Sequence, residues 1–190
     1  MEVKIGVSNR HVHLTQDTLE KLFGEGHVLT EDRPLSQLGQ FASTDKVTLK
    51  TEKNEIGNVR ILGPVRKYNQ VEISKTDSYT LGLKPPVRNS GDLENSEKVT
   101  LVGPCGEVTI ENGVIIAARH IHINTEDLEK YGLYENQIVQ VKVNTEKGGI
   151  MENVTIKSDP TYTLEMHIDT DDANAFLLGN GSIVEVIKGE

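Results

Sequence analysis

The sequence predicts a mostly β protein made of two small, intimately packed β-barrels with a few short helices, and three observations lead there. Short apolar runs recur along the chain between Gly, Pro and Asn turns, without long helical patterns. The run Arg10-His11-Val12-His13-Leu14 returns as Arg119-His120-Ile121-His122-Ile123, so the chain reads as a diverged duplication. A (β/α)8 barrel, the usual home of a His-x-His metal hydrolase, needs about 250 residues and a helix after every strand. This chain has 190 residues and no such helices.

In chain order, Met1 to Val7 alternates and predicts a strand that leads into the first His-x-His run. Leu14 to Gly24 then reads as a short helix, with Thr15 as N-cap, acids in the first turn and a glycine stop. Residues 25–45 read as irregular. Strands follow at Val47-Thr48-Leu49, Val59 to Leu62 and Val71-Glu72-Ile73, before a Pro- and Gly-rich loop at 82–97. Lys98 to Val102, Val108-Thr109-Ile110 and Val114-Ile115-Ile116 continue the ladder, with Asn112-Gly113 marking a hairpin. The second His-x-His run opens another short helix, Asn124 to Gly132. Ile138 to Val143, a Gly148-Gly149 turn, Val154-Thr155-Ile156, Leu164 to Ile168, a short helix near Asp171 to Leu178, and Ile183 to Ile187 complete the chain.

His-x-His places both imidazoles on one face of a strand, whereas on a helix they would diverge. Each run is therefore a two-armed clamp, with Val12 and Ile121 turned to the opposite face. A duplicated clamp calls for a duplicated third arm. Val71-Glu72-Ile73-Ser74 matches Met166-His167-Ile168-Asp169, so Glu72 and His167 hold equivalent places. The sets His11/His13/Glu72 and His120/His122/His167 are both recurring ligand sets of catalytic zinc with an open position, and imidazole also suits iron, copper and nickel. His27, outside both patterns, reads as a surface histidine, and Cys105 in Gly103-Pro104-Cys105-Gly106 as a turn residue.

Composition bounds the partners. With 36% apolar and 26% charged residues the chain is an ordinary globular one, and no apolar run approaches a transmembrane helix. A lone cysteine excludes an intramolecular disulfide framework. The net charge of −9 argues against a nucleic-acid surface. Any anion site must then be local, which gives weight to Arg10, Arg119, Arg66 and Arg88. Oligomeric state is not fixed by the sequence, and a homo-oligomer is compatible with it.

Over essentially its whole length the chain resembles the PduL-type phosphate acyltransferases (phosphate propanoyltransferases). The matching text is Ser8-Asn9-Arg10-His11-Val12-His13-Leu14, Gly63-Pro64-Val65-Arg66 with Glu72, Pro86-Val87-Arg88-Asn89-Ser90-Gly91-Asp92, Ala118-Arg119-His120-Ile121-His122, and Met166-His167-Ile168. The resemblance implies two six-stranded barrels, residues 1–9 with 118–190 and residues 10–117, and a dinuclear zinc site between them. One ion would sit on His11, His13 and Glu72, the other on His120, His122 and His167. Arg66 would bind phosphate, with Ser90 nearby. The implied reaction is acyl-CoA plus phosphate giving acyl phosphate plus CoA, for a short acyl chain such as acetyl or propanoyl, by direct attack of phosphate. The first ion is then assigned to the CoA sulfur. The second, with three neutral histidines and so more positive charge, is assigned to phosphate or water. A zinc hydrolase of thioesters or amides and a non-catalytic metal-binding module are the rival expectations. Microcompartment-packaged members look as if they carry an N-terminal amphipathic extension; here the first strand begins at Val3, which gives the expectation of a free cytoplasmic enzyme.

Overall fold

The computed structural model describes residues 1–187. Its elements in order are β1 (Glu2–Ser8), β2 (His11–His13), α1 (Gln16–Phe23), β3 (Glu31–Pro34), β4 (Phe41–Lys50), β5 (Glu55–Gly63), β6 (Gln70–Glu72), α2 (Lys75–Leu81), β7 (Val87–Arg88), β8 (Glu97–Val102), β9 (Glu107–Ala117), β10 (His120–Ile123), a 3-10 turn (Thr125–Asp127), α3 (Leu128–Tyr131), β11 (Ile138–Val143), β12 (Gly149–Ser158), β13 (Glu165–Asp169), α4 (Thr170–Phe176) and β14 (Ile183–Ile187). The chain forms two compact units, Met1–Asn9 with the chain from Ala118 on, and Arg10–Ala117.

Each unit is a closed six-stranded barrel. In the first, the strands pair around the ring as β1-β13-β10-β12-β11-β14 and back to β1. In the second, β4-β5-β2-β6-β9 is closed by β8, which pairs with both β9 and β4; β3 and β7 are additions at the side. The two rings have one pairing pattern. The clamp strand runs antiparallel to the strand of its third arm (β2 with β6, β10 with β13) and parallel to its other neighbour (β5, β12). A further parallel pair closes the far side of the third-arm strand, β6 with β9 and β13 with β1. In each case the strand that precedes a clamp in sequence closes the barrel of the other clamp.

Period-two alternation fills each barrel. Val12, Leu14, Ile61 and Val71 are fully buried in one core, and Ile5, Ile121, Ile123 and Met166 in the other. The histidines of both clamps take the opposite face of their strands. Only short helices fit between strands so placed, and caps define them. Thr15 accepts from the Thr18 N–H at the start of α1, and Ser74 with Asp77 forms a capping box on α2.

Four readings of the sequence are corrected here. Asn112-Gly113 is no hairpin but lies inside the continuous strand β9. The pairing of this strand with β8 shifts register there but reaches Val114, where β6 joins on the other side, and β7 follows at Ile116. A Cβ at Gly113 would stand 2.5 Å from Ile110 Cγ2, so glycine is needed for close packing rather than for a turn. The stretch read as irregular, 25–45, contains β3 and the start of β4. Helix α2 was not read, although Ser74 to Asp77 carries its capping box. His27 is half-buried rather than a surface group, stacked on Phe23 with Nε2 3.2 Å from Asp45 Oδ1.

A matched pair of arginines ties each clamp to the helix after its third arm. Arg10 Nε and Nη2 donate to Asp77 Oδ1 at 2.9 and 2.6 Å, and Arg119 Nε and Nη2 donate to the two oxygens of Asp172 at 3.0 and 2.7 Å. Asp77 is buried, and this pairing holds Arg10 above its ordinary pKa. Arg10→Ala leaves that carboxylate without its cation and is expected to cost about 2 kcal/mol, the buried-pair penalty reduced for the partly exposed arginine. Urea denaturation of the metal-free protein checks this; a change under about 0.5 kcal/mol, the scale of an ordinary surface substitution, would sink it.

Candidate metal centre

Strand register assembles the first trio. His11 stands opposite Glu72 across the β2–β6 ladder, and His13 stands opposite Gln70. His11 Nε2 lies 3.5 Å from Glu72 Oε2, and the two imidazoles meet edge to face with centroids 5.0 Å apart. Among the described residues, His11, His13 and Glu72 are the set of three acidic, imidazole or thiol side chains whose ligand atoms all lie within 4.8 Å of one another. This is the reach of one cation.

The donors suit a borderline divalent metal. His13 is only 3% exposed, and its Nδ1 is a buried atom with no hydrogen-bond partner among the described residues. The Leu62 carbonyl bonds the His13 ring and Nδ1 has no partner, which assigns the proton to Nε2 and leaves the Nδ1 lone pair unused by hydrogen bonding. Burial, then His11 and Arg66, push its pKa down to about 3. The ring is therefore neutral at pH 7 and binds a metal without first losing a proton. Two neutral imidazoles and a carboxylate are a zinc-type set, so the residues fit the metal that the sequence implies.

A polar network surrounds the trio. Gln70, fully buried, donates through Nε2 to Glu72 Oε1 at 2.6 Å and to Ser90 Oγ at 2.8 Å, while its Oε1 accepts from the Gly91 N–H at 2.7 Å. Arg66 Nη1 donates to Tyr68 Oη at 3.2 Å and, at 3.4 Å, to Ser90 Oγ. No carboxylate among the described residues lies within ion-pair distance of Arg66. The other candidate arginines are engaged: Arg10 and Arg119 hold Asp77 and Asp172, and Arg88 lies 3.5 Å from Asp92. Gln70 and Tyr68 were missed in the sequence. Gln70 had a signal, two residues before Glu72 on the same strand face.

The second trio repeats the ladder. His120 stands opposite His167 across β10–β13, and His122 stands opposite Glu165. The three ring centroids lie 4.6 to 5.2 Å apart. His120 Nδ1 is 2.8 Å from the Ala118 carbonyl, which assigns its proton to Nδ1 and leaves Nε2 for a ligand. His122 stacks on Tyr162 at 3.9 Å. Cys105 is exposed in its turn, its N–H donating to the Leu22 carbonyl.

Fold and site define a class: a duplicated double-barrel protein with histidine clamps on equivalent strands, one of them beside an arginine that has no carboxylate partner. The family model of phosphate propanoyltransferase matches residues 4–179. Similar proteins include the phosphate propanoyltransferases of Rhodobacter capsulatus, 50% identical over 98% of this chain and 86% of the relative, and of Thermotoga maritima, 49% identical over 97% and 88%. That of Salmonella typhimurium is 44% identical over 91% and 82%. The chain belongs to the phosphate propanoyltransferase family. No helix among the described residues is long and apolar enough to cross a membrane.

The depressed pKa of His13 has a sign. The unfolded chain binds a proton below about pH 6.5 that the folded, metal-free chain refuses until about pH 3. This contribution is thus fully present above pH 6.5 and is lost as pH falls toward 3, at a slope on the order of 1.4 kcal/mol per pH unit. Denaturation of metal-free wild type and His13→Gln between pH 7 and 4 isolates it. The variant should show the shallower fall, and equal slopes would contradict the burial argument.

Proposed function

We propose that this chain is a phosphate acyltransferase that moves a short acyl group, acetyl or propanoyl, between coenzyme A and inorganic phosphate, and that it uses two zinc ions, one in each barrel. The first would be held by His11, His13 and Glu72, the second by His120, His122 and His167. The observation that carries the reading is Arg66, a guanidinium with no carboxylate partner beside a buried two-histidine, one-carboxylate set. The names of the relatives supply phosphate and the propanoyl group, and coenzyme A as the acyl carrier is part of the proposal.

The reaction balances simply. A phosphate oxygen bonds to the thioester carbonyl carbon, the C–S bond breaks, and its electron pair leaves on the CoA sulfur. Phosphate dianion is a weak nucleophile, so catalysis rests on holding it in place. Arg66 offers paired N–H donors to two phosphate oxygens. Ser90 Oγ already accepts from Gln70 and Arg66, which leaves its O–H to donate to a third. Gln70 fixes one oxygen of Glu72 and leaves the other facing His11. His11, His13 and Glu72 would hold a divalent metal, which when bound would supply Lewis acidity toward the carbonyl oxygen and a coordination position for the thiolate. Ser90 faces two N–H donors rather than a base, and Cys105 is exposed in a turn, so direct attack by phosphate is favoured over an acyl-enzyme.

The decisive assay is thiol release from acetyl-CoA and propanoyl-CoA, with and without phosphate, on protein whose metal has been counted. Phosphate-dependent release is expected; release indifferent to phosphate would make the protein a hydrolase. Arg66→Ala should lower kcat/KM for phosphate roughly 100-fold, the scale of a lost positioning contact, with metal content unchanged. Loss of metal from that variant would mean that Arg66 has a structural task instead. His120→Ala should remove one metal equivalent and keep the other, whereas a variant that retained both would strike His120 from the ligands.

A further inference from the structure

Within the Arg10–Ala117 barrel one buried amide reaches both the histidine trio and the loop of Ser90, and its neighbours fix its orientation. Gln70 stands opposite His13 in the β2–β6 ladder, two residues before Glu72. The two hydrogens of its Nε2 go to Glu72 Oε1 at 2.6 Å and to Ser90 Oγ at 2.8 Å, and its Oε1 accepts from the Gly91 N–H at 2.7 Å. A flipped amide would set oxygen against the carboxylate and N–H against N–H, so only one orientation satisfies all three neighbours. Gln70 is 0% exposed, so no solvent competes for these bonds.

The loop is shaped to meet that amide. The Asp92 N–H donates to the Asn89 carbonyl at 3.0 Å, and the turn so closed brings two consecutive residues, Ser90 and Gly91, onto the two ends of one side chain. Gly91 has φ +92°, which glycine adopts without strain, and Tyr68 Oη would lie 3.5 Å from a Cβ placed there. Tyr68 Oη and Ser90 Oγ both accept from Arg66 Nη1. A chain of contacts therefore runs from Glu72 through Gln70 and Ser90 to Arg66. In the other barrel the matching place, opposite the second histidine of the clamp, is Glu165, whose carboxylate carries no N–H to donate.

We infer that Gln70 is a positioning residue with two separable tasks. Toward Glu72 it occupies Oε1, so that the carboxylate meets the trio through Oε2, the oxygen 3.5 Å from His11 Nε2. Toward Ser90 it fills one lone pair of Oγ while Arg66 fills the other, which leaves the hydroxyl hydrogen for a bound anion. Gln70 itself touches neither metal nor substrate in this account. The inference rests on the acyltransferase reading above and deepens it: a single side chain sets both the carboxylate arm of the trio and a donor to phosphate.

Two measurements separate the tasks. Metal-free full chains of wild type, His11→Ala and Gln70→Met are titrated with zinc against a chromophoric chelator. The equivalent that His11→Ala loses should be weakened roughly 10- to 100-fold in Gln70→Met, with any other equivalent unchanged. Thiol release from propanoyl-CoA is then followed against phosphate, at saturating zinc, in Gln70→Met, Ser90→Ala and the double variant. Each single change should raise KM for phosphate about 10-fold, the scale of one hydrogen bond. The double variant should stay within about 2-fold of the single ones, because Gln70 acts on phosphate only through Ser90. Gln70→Asn, whose amide is one methylene too short to reach both partners, takes the place of Gln70→Met if that chain does not fold. Wild-type zinc affinity or wild-type KM in the Gln70 variant would overturn the inference, as would KM effects that multiply in the double variant. Equal weakening of two zinc equivalents would do the same, since that is the mark of general destabilisation. Wild-type thiol release that ignores phosphate would instead defeat the acyltransferase reading, and the zinc titration would still decide the task toward Glu72.

Discussion

Side chains on a strand alternate with a period of two, so a slip of one residue between β2 and β6 would turn Glu72 to the core and leave His11 and His13 without their carboxylate. The opposition of His11 to Glu72, and of His120 to His167, is therefore the constraint on which both sites depend. Register is held by what lies on the other face. Val12 and Val71 are fully buried, as are Ile121 and Met166, and shifting them would expose apolar side chains while burying charge. Core packing and ligand placement are two readings of one alternation. The Arg10–Asp77 and Arg119–Asp172 pairs add a second lock from strand to following helix.

Burial then does chemical work. In water His13 would titrate near neutrality; in the dry interior beside His11 and Arg66 it stays neutral far into the acid range. The same surroundings that strip the ring of its proton keep its lone pair available. Arg66 acts in both directions, since its charge disfavours protonation of His13 and attracts an anion to the neighbouring space. Gln70 connects these groups, joining Glu72 to the loop of Ser90 and Gly91 through three hydrogen bonds, so the carboxylate of the trio and the Ser90 hydroxyl are positioned by one buried amide.

Much of this was legible in the sequence because duplication supplies a second copy of each signal. The paired His-x-His runs required extended backbone, and the likeness of Val71-Glu72-Ile73 to Met166-His167-Ile168 pointed to Glu72 and His167, which stand opposite His11 and His120 in their ladders. Less legible was anything decided by tertiary packing. Asn112-Gly113 carries a strong local preference for a turn, yet β9 runs through it because partners on both sides continue. His27 read as exposed from its loop, but Phe23 and Asp45 enclose it. Gln70 acts sideways on Glu72: its spacing placed it on the same strand face but did not mark the hydrogen bond it makes there. Capping signals at Ser74 and Asp77 were present and went unread beside the stronger β pattern.

The exchange of leading strands has a consequence for how the chain comes into being. The barrel of Arg10–Ala117 holds all its strands in one continuous segment and has its full complement once that segment has been made. Strand β1 is synthesised before the Arg10–Ala117 barrel, yet its partners β13 and β14 come after it. At about 5–20 residues per second it waits roughly 10 to 35 seconds with both edges unpaired. Its burial pattern, with Val3 and Ile5 facing inward between the polar Glu2 and Lys4, leaves charged groups along the waiting strand. Such charges discourage pairing with a neighbouring nascent chain. During synthesis the Arg10–Ala117 barrel is thus complete while the other still lacks most of its strands, and β13 and β14 are what close that second ring on β1.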